Sequence, residues 1–477
     1  KQKQLELQKK KARTKNTIIG TVVAVILIAV LFVNSTFFYT GVTALTIGDR
    51  QYSIGDFNYY YYTAYRNTYN NLYKYYGSSV TLLLNPNIPF KDQMYDETRS
   101  WDDYFEETAL NNMRETAILC DAAKAAGLTL SQEDIDNINR TIDDVKSNYS
   151  SLGYSSLTAF FTGVYGKGVN EKNFRKNLEN EYLATLYVQD MLDKMEFSDE
   201  ELDSYYNEHR DEYDLLTYRR YYVSGSADEE KGIDSETAMA KAKETAEAIA
   251  KAKSEQEFID LVYKYAPEEN KETYADSETT LYKDMLPSSI FEEHAKWLLD
   301  DSRVEGDTTV IEASSGYYVI YYIGRNDNSY NTVNVRNILI SVENSSEDAD
   351  KAAKEKAEAL LKVWQNGEAT EDSFAELAKT NSADNNAAEG GLCKNVYKGQ
   401  KGKEFEAWCF DESRKPGDTG IVKTESGYQI IYFSGKGEPY RLMIAKSALQ
   451  NEEYANWLEA QKPNYEITKK FALKFAK

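Results

Sequence analysis

One long apolar run dominates the hydropathy pattern near the start of the chain. It extends from Ile18 to Phe38 without a charged residue and contains the segment TVVAVILIAVLFV. A helix of about 20 apolar residues is long enough to span the hydrocarbon core of a membrane. The pattern predicts an uncleaved N-terminal transmembrane helix over residues 17–40. The alternative is a cleaved signal peptide, whose apolar region is usually shorter, about 7–15 residues.

Residues 45–215 show mainly the spacing of helices, after a short alternating strand at residues 45–49. Tyrosines recur there at three- and four-residue steps, which places them on one stripe of a helix. The stripe comprises Tyr62, Tyr65, Tyr69, Tyr73 and Tyr76. We predict a mostly α domain in this region. The tyrosine stripe has two open interpretations: ordinary helix packing, or a surface that binds unfolded segments through rings that are apolar and tipped with a hydroxyl.

The chain after residue 215 contains two related segments. WLLDDSRVEGDTTVIEASSGYYVIY begins at Trp297 and WCFDESRKPGDTGIVKTESGYQIIY begins at Trp408, a constant offset of 111 residues. Such internal repeats decide the architecture of a region. Each repeat has the pattern of a strand, helices and two further strands, which predicts an α+β unit with an antiparallel sheet. We predict these units over residues 216–326 and 333–436, and a helical tail over 438–477.

The distribution of charged residues predicts how the chain is oriented in the membrane. Residues 1–16 carry seven Lys or Arg and one Glu, whereas the whole chain has 56 Lys plus Arg against 78 Asp plus Glu. The positive-inside rule places this basic stub in the cytoplasm and the acidic body outside the membrane. The acidic balance argues against a nucleic-acid partner. The chain has only two histidines, and we expect His209 in a linker helix and His294 on a solvated helix surface.

A family resemblance rests on residues of the second repeat. They are Ile338-Leu339-Ile340, Phe374-Ala-Glu-Leu-Ala-Lys379, Ser382-Ala-Asp384, Gly390-Gly391-Leu392, Gly399-Gln400, Phe405, the segment 417–424 and Ser426-Gly-Tyr-Gln-Ile-Ile431. In order and spacing these residues resemble the parvulin-type (PpiC) peptidylprolyl isomerase domain. The region 45–215 resembles the helical chaperone domain that precedes parvulin units in the SurA/PrsA foldases. The resemblance covers most of residues 45–435.

The resemblance implies the catalytic positions, and the chain departs from the family there. Asn337 and Gln429 stand where the family usually carries two histidines, and Asp384 keeps its acidic position. These three are the candidate catalytic residues. The first repeat is further from the pattern, because Arg220 and Tyr318 occupy the two histidine positions.

The resemblance also implies a substrate-binding surface. Phe405 keeps the aromatic residue of the proline pocket, Leu392 follows the paired glycines, and Lys401 replaces a usual methionine. The further candidates for binding unfolded chains lie on the tyrosine stripe: Tyr62, Tyr65, Tyr69 and Tyr73.

Rotation about an X-Pro bond requires no cofactor, metal or covalent step, although its barrier is about 18–20 kcal/mol. Asn337 and Gln429 can donate and accept hydrogen bonds but cannot titrate. We therefore expect a membrane-anchored extracytoplasmic foldase or chaperone, on a Gram-positive-type bacterial surface, that binds newly secreted polypeptides with weak or lost isomerase activity. Two alternatives remain open: an active isomerase with a non-histidine pocket, and a non-enzymatic docking component of a surface or secretion complex.

Overall fold

The computed structural model describes residues 21–227, 232–342, 344 and 346–477. The basic stub over residues 1–16 and the first residues of the expected anchor lie outside the described residues. The chain divides into two compact units. The first comprises residues up to Glu196 together with Gln450–Lys477, and the second comprises Phe197–Leu449. The segment 197–215, expected with the helical domain, thus belongs to the second unit, and the tail 438–477 is shared between the two.

The helices and strands are numbered in chain order. The α-helices are α1 (21–33), α2 (Thr36–Gly41), α3 (Ile54–Tyr76), α4 (Trp101–Ala125), α5 (Gln132–Asn148), α6 (Leu157–Tyr165), α7 (Glu171–Asp193), α8 (Asp199–Glu208), α9 (Arg210–Tyr213), α10 (Ser235–Ile249), α11 (Glu255–Tyr265), α12 (Lys271–Tyr274), α13 (Glu292–Leu298), α14 (Glu347–Asn366), α15 (Glu371–Asn381), α16 (Lys403–Cys409) and α17 (Tyr440–Gln461). The strands are β1 (Thr43–Ile47), β2 (Arg50–Ser53), β3 (Leu215–Ser224), β4 (Leu281–Met285), β5 (Thr308–Ala313), β6 (Gly316–Asn326), β7 (Asn331–Ser341), β8 (Leu392–Val396), β9 (Thr419–Thr424), β10 (Gly427–Pro439) and β11 (Ile467–Lys469). Short 3-10 helices cover Gly77–Leu82, Phe90–Asp92, Glu268–Asn270, Ser277–Thr280, Pro287–Ser289, Ala387–Glu389, Lys462–Asn464 and Phe471–Phe475.

Helix α1 occupies part of the apolar run, and its side chains from Val22 to Phe32 are exposed. It ends at residue 33, and α2 begins after Ser35, whose Oγ accepts a hydrogen bond from the Phe38 amide at 3.2 Å. Within the part of the chain that the structure describes, none of the helices has the length and apolar character needed to cross a membrane.

The first unit is mainly helical and closes around aromatic side chains. Several of its helices begin with a capping box, in which the N-cap side chain and the N3 side chain satisfy each other's backbone amides; the N-caps are Ser53, Ser100, Ser131 and Asn170. Phe57, Phe105 and Phe161 are fully buried between α3, α4 and α6. A small antiparallel sheet with the order β11-β1-β2 completes the unit.

The second unit contains two four-stranded sheets of the same design. Their strand orders are β4-β3-β6-β5 and β8-β7-β10-β9, and every pairing is antiparallel. The predicted α+β class with antiparallel sheets in a mainly helical, multidomain chain is confirmed. The edge strands β4 and β8 were not expected, because segments such as LCKNV at residues 392–396 mix polar and apolar residues without a clear period.

Candidate functional site

Alternation along the two central strands of the second repeat separates its side chains into two layers. On one face, Ile338, Ile340 and Ile430 pack against α14 and α15. Successive residues of a strand point to opposite faces, so Asn337 and Gln429 lie on the other face. That face packs against α16 through Phe405, which is 3% exposed. In the β7–β10 register Asn337 is opposite Ile431 and Gln429 is opposite Leu339, so the two amides are diagonal neighbours.

Asn337 is the centre of a buried hydrogen-bond network. Its Nδ2 donates to Asp384 Oδ2 at 2.9 Å and to Gln429 Oε1 at 2.8 Å. Its Oδ1 accepts from Asn386 Nδ2 at 2.9 Å, and the Cys393 thiol lies 3.4 Å from the same oxygen. Asn337 is only 1% exposed. A buried amide is tolerated when its donors and acceptor are satisfied, and here they all are.

Gln429 retains hydrogen-bonding capacity towards solvent. Its Oε1 accepts from Asn337, whereas its Nε2 has no partner among the residues that the structure describes. Asp384 is fixed at both oxygens, since Oδ1 accepts from the Asn385 amide at 2.7 Å and Oδ2 accepts from Asn337. Gln429 Nε2 is therefore the donor that this set offers to a bound peptide.

A groove of about 1080 Å³ opens over this network. It is lined by Asn337, Leu339, Asp384, Lys401, Gly402, Lys403, Glu404, Phe405, Lys423, Thr424, Glu425, Ser426 and Gln429. Phe405 and Leu339 supply its apolar part. Lys401 is exposed at the groove, so its ammonium group remains hydrated beside the apolar part. Three lysines and three acidic residues give the lining a balanced charge.

Leu392 lies in β8 outside this lining, half-buried and opposite Arg336. Its carbonyl accepts from Asn386 Nδ2 at 3.3 Å, so it contacts the network rather than the groove. Asn386 and Cys393 are members of the network that sequence reasoning missed. Cys393 lies in β8, which was not predicted, and Asn386 precedes the 3-10 helix Ala387–Glu389, where no spacing signalled it.

The cysteines of the second repeat are free thiols. Burial raises the pKa of Cys393, with a partial opposing effect from Lys401, and burial raises the pKa of Cys409 to about 12. A thiol with a raised pKa is a weak nucleophile at neutral pH.

The first repeat fills the corresponding position differently. The Arg220 guanidinium lies over the rings of Tyr282, Phe291 and Tyr318, at 4.4, 5.2 and 5.4 Å from their centroids. It donates to the Tyr282 hydroxyl at 2.7 Å. Tyr318 thus contacts Arg220 where the second repeat pairs Gln429 with Asn337.

The expectation that His294 lies on a solvated surface is wrong. The side chain is 3% exposed, and its ring makes edge contacts with Phe291 at 5.3 Å and Tyr318 at 4.8 Å. The physical reason is the repeat itself: the offset of 111 residues places His294 at the inward position that Phe405 occupies. His209 is the C-cap residue of α8, and its Nδ1 lies 2.9 Å from Glu212 Oε1.

The tyrosine stripe of α3 divides into a half-buried and an exposed part. Tyr62 and Tyr65 line a cavity of about 710 Å³ together with Phe90 and neighbouring residues of the first unit. Tyr69 follows on the same helix face, 6.0 Å from the Tyr65 ring, and stacks on Tyr73, which is 53% exposed. Part of the stripe is therefore core packing and part is accessible to solvent.

Comparison with known families and proteins gives one direct match. The family model of the PPIC-type PPIASE domain, a rotamase family, matches residues 317–436. These residues contain β7 to β9, most of β6 and β10, and every residue that lines the groove of the second repeat. No curated protein matches the sequence.

Several solved structures are also similar to the chain. PrsA from Bacillus subtilis is 20% identical over 62% of this chain and 85% of its own, with a TM-score of 0.20. The foldase protein PrsA from Streptococcus pneumoniae is 16% identical over 59% of this chain and 87% of its own, with a TM-score of 0.21. A SurA-like chaperone of Campylobacter jejuni is 12% identical over 60% of this chain and 82% of its own, with a TM-score of 0.17.

Proposed function

Residues 317–436 carry a PpiC-type domain, and from this premise we propose that the chain is a membrane-anchored extracytoplasmic foldase or chaperone for unfolded, newly secreted polypeptides. The observation that carries the proposal is the groove of the second repeat. It combines an apolar floor at Phe405 with a rigid polar wall at Asn337, Asp384 and Gln429. An extended segment can place an apolar side chain or a prolyl ring on the floor while its backbone accepts a hydrogen bond from Gln429 Nε2.

The same geometry favours binding over catalysis. Asn337 uses both of its donors within the network, so Gln429 Nε2 remains as the donor for a twisted prolyl amide. One neutral hydrogen bond is worth about 0.5–1.5 kcal/mol, which is small against a barrier of about 18–20 kcal/mol. We propose weak or lost isomerase activity, with Gln429 contacting the peptide while Asn337 and Asp384 hold Gln429 in place.

Membrane attachment is part of the proposal. The apolar side chains of α1 from Val22 to Phe32 are exposed, and the apolar run of the sequence begins earlier, at Ile18. Exposed apolar side chains of this density are stabilised by lipid. The basic residues before the run favour a cytoplasmic side for the stub and an extracytoplasmic side for both units.

The exposed end of the tyrosine stripe is a second contact for clients in this proposal. Tyr62 and Tyr65 line their cavity, and Tyr69 and Tyr73 continue from it towards the exposed end of α3. Aromatic rings with polar tips bind apolar segments at wet surfaces without a strict sequence preference.

Light scattering of an aggregating client tests the chaperone proposal. The full chain, in detergent, is added in equimolar amounts to a thermally unfolding client protein, and aggregation should be suppressed. Tyr73→Ser should weaken the suppression. Tyr75→Ser is the matched control, because Tyr75 is 85% exposed on the same helix but lies off the stripe. Unchanged scattering with the wild-type chain would refute the proposal and favour a docking component.

A prolyl-peptide exchange measurement tests the enzymatic alternative. The wild-type chain should accelerate cis–trans exchange only weakly. A strong acceleration that is lost in Phe405→Leu, which keeps an apolar but smaller side chain at the floor, would instead establish an active isomerase with a non-histidine pocket.

A further inference from the structure

The first repeat has a groove of its own at the place equivalent to the groove of the second repeat. Its volume is about 320 Å³. It is lined by Phe291, Glu292, Glu293, His294, Ile311, Glu312, Ala313 and Tyr318. Adding the offset of 111 residues converts each of these positions, except Ile311, into a residue that lines the second groove. The two grooves are therefore equivalent surfaces of two copies of one fold.

The equivalent grooves carry different charges. Glu292 stands where the second repeat has Lys403, and Glu312 stands where it has Lys423. Glu293 corresponds to Glu404, so this position is acidic in both repeats. The first groove thus has three carboxylates and, among the described residues that line it, neither lysine nor arginine. None of the three carboxylates forms an ion pair with any residue that the structure describes. Three unpaired carboxylates around one small groove attract a cation.

His294 lines this groove, and one of its ring nitrogens has no hydrogen-bond partner among the described residues. His294 is 3% exposed, and its Nδ1 makes no hydrogen bond within the described part of the chain. Burial and the nearby charge of Arg220 lower the pKa of His294 to about 4, so the ring is neutral at physiological pH. A neutral imidazole offers one nitrogen as an acceptor. Buried polar atoms are rarely left unsatisfied, and a ligand that carries an N–H group would supply the hydrogen bond that this nitrogen lacks.

Aromatic rings complete the site. Phe291 is 57% exposed at the groove, and Tyr318 lines its wall. Both rings already contact the Arg220 guanidinium, which reaches them from β3 and is absent from the described lining of the groove. Aromatic faces attract guanidinium and ammonium groups, so the rings suit a second cation from the open side. The three carboxylates outweigh the single positive charge of Arg220.

We propose that the first groove binds an arginine or lysine side chain of an extended client polypeptide. The carboxylates of Glu292, Glu293 and Glu312 attract the cation, Phe291 contacts its planar or aliphatic part, and His294 Nδ1 accepts a hydrogen bond. This inference rests on the proposed function, because it names basic segments as the clients of the first repeat. The second groove, with its balanced charge, binds segments without that preference.

Fluorescence anisotropy with two labelled peptides tests the assignment. The peptides share one extended, uncharged sequence and differ only in carrying arginine or glutamate at the same positions. The full chain should bind the arginine peptide more tightly. The variant Glu292→Gln/Glu293→Gln/Glu312→Gln should weaken that binding about fivefold, given the usual strength of exposed charge pairs. His294→Phe, which installs the residue of the second repeat, should also weaken binding while the carboxylates remain.

A matched variant of the same repeat outside both grooves provides the control. Glu236→Gln/Glu244→Gln/Glu247→Gln removes three exposed carboxylates from α10, which lines neither groove, and should leave the affinity for the arginine peptide unchanged. Equal affinity for both peptides, or an equal loss in the control variant, would overturn the assignment.

The same samples separate this inference from the proposed function. If aggregation of a neutral client is suppressed while both peptides bind equally, the basic site is refuted and the chaperone proposal stands. If suppression is absent while the triple variant still loses the arginine peptide, the chaperone proposal is refuted and the site is supported. Circular dichroism of each variant verifies that the fold is retained.

Discussion

Replacing Asn337 with alanine should loosen the second repeat around its groove. The amide makes three side-chain hydrogen bonds at once, to Asp384, Gln429 and Asn386, and it is 1% exposed. A neutral hydrogen bond contributes about 1 kcal/mol net, and one to a charged group contributes about 1.5–3 kcal/mol. The three together amount to roughly 3–5 kcal/mol. Asp384 is only half-buried and can regain water, so the lower end, about 3 kcal/mol, is expected.

Hydrogen exchange read by mass spectrometry measures this loss locally. A change of about 1.4 kcal/mol is a factor of ten, so 3 kcal/mol corresponds to roughly a 100-fold fall in protection. The fall should be concentrated in peptides that cover β7 and β10. Asn385→Ala is the matched control, because the Asn385 side chain is exposed and only its backbone amide contacts Asp384. If protection in Asn337→Ala stays within about threefold of wild type, the network does not hold the strands together and the reasoning is wrong.

Three further predictions concern catalysis and pH. Asn337→His with Gln429→His and Lys401→Met installs the family's usual residues and should raise the exchange rate of a prolyl peptide; an unchanged rate would show that other features of the groove limit catalysis. Burial raises the pKa of Glu181 to about 7, so its carboxyl keeps a proton in the folded first unit that the unfolded chain has lost. Thermal stability of that unit should therefore fall as pH rises from about 4.5 to about 7, and Glu181→Gln should flatten this dependence. His294 acts in the opposite direction: its lowered pKa means that the unfolded chain binds the proton first, so the first repeat should lose stability as pH falls from about 6.5 to about 4, and His294→Phe should remove that loss.

The groove residues of the second repeat could be predicted because the order and spacing of its segments resemble the PpiC-type domain, and the resemblance implies which positions form the site. Alternation on β7 and β10 places Asn337 and Gln429 on one face of the sheet, and Phe405 of α16 packs against that face. The spacing of α16 and β10 is the same as that of α13 and β6 in the first repeat. The equivalence of His294 and Phe405 was present in the same offset of 111 residues. The local sequence around His294 is charged, which suggested a surface position, whereas the repeat register gives the buried one.

Other features depend on contacts that no local pattern encodes. β11 pairs with β1 although Leu45 and Lys469 are far apart in the chain, so the composition of the first unit could not be inferred from a continuous range. α8 was expected with the helical domain, but Leu202 and Tyr206 pack against Ala445 in the second unit. Such pairings are chosen by tertiary packing, which overrides sequence neighbourhood.

The pairing of β11 with β1 affects the order in which the parts of the chain can fold. The first unit is discontinuous: Lys477 Nζ contacts Asp102 and Glu106 at 2.9 and 2.6 Å, and its backbone amide donates to Asn58 at 2.9 Å. During synthesis, the tyrosine-rich helices emerge long before β11, the strand that completes their sheet. The second unit is one continuous segment, so it can fold before β11 has been synthesised. Closing so long a loop adds little entropy cost, because that cost grows only logarithmically with loop length. The tyrosine-rich helices therefore cannot complete their sheet until the whole second unit has been synthesised.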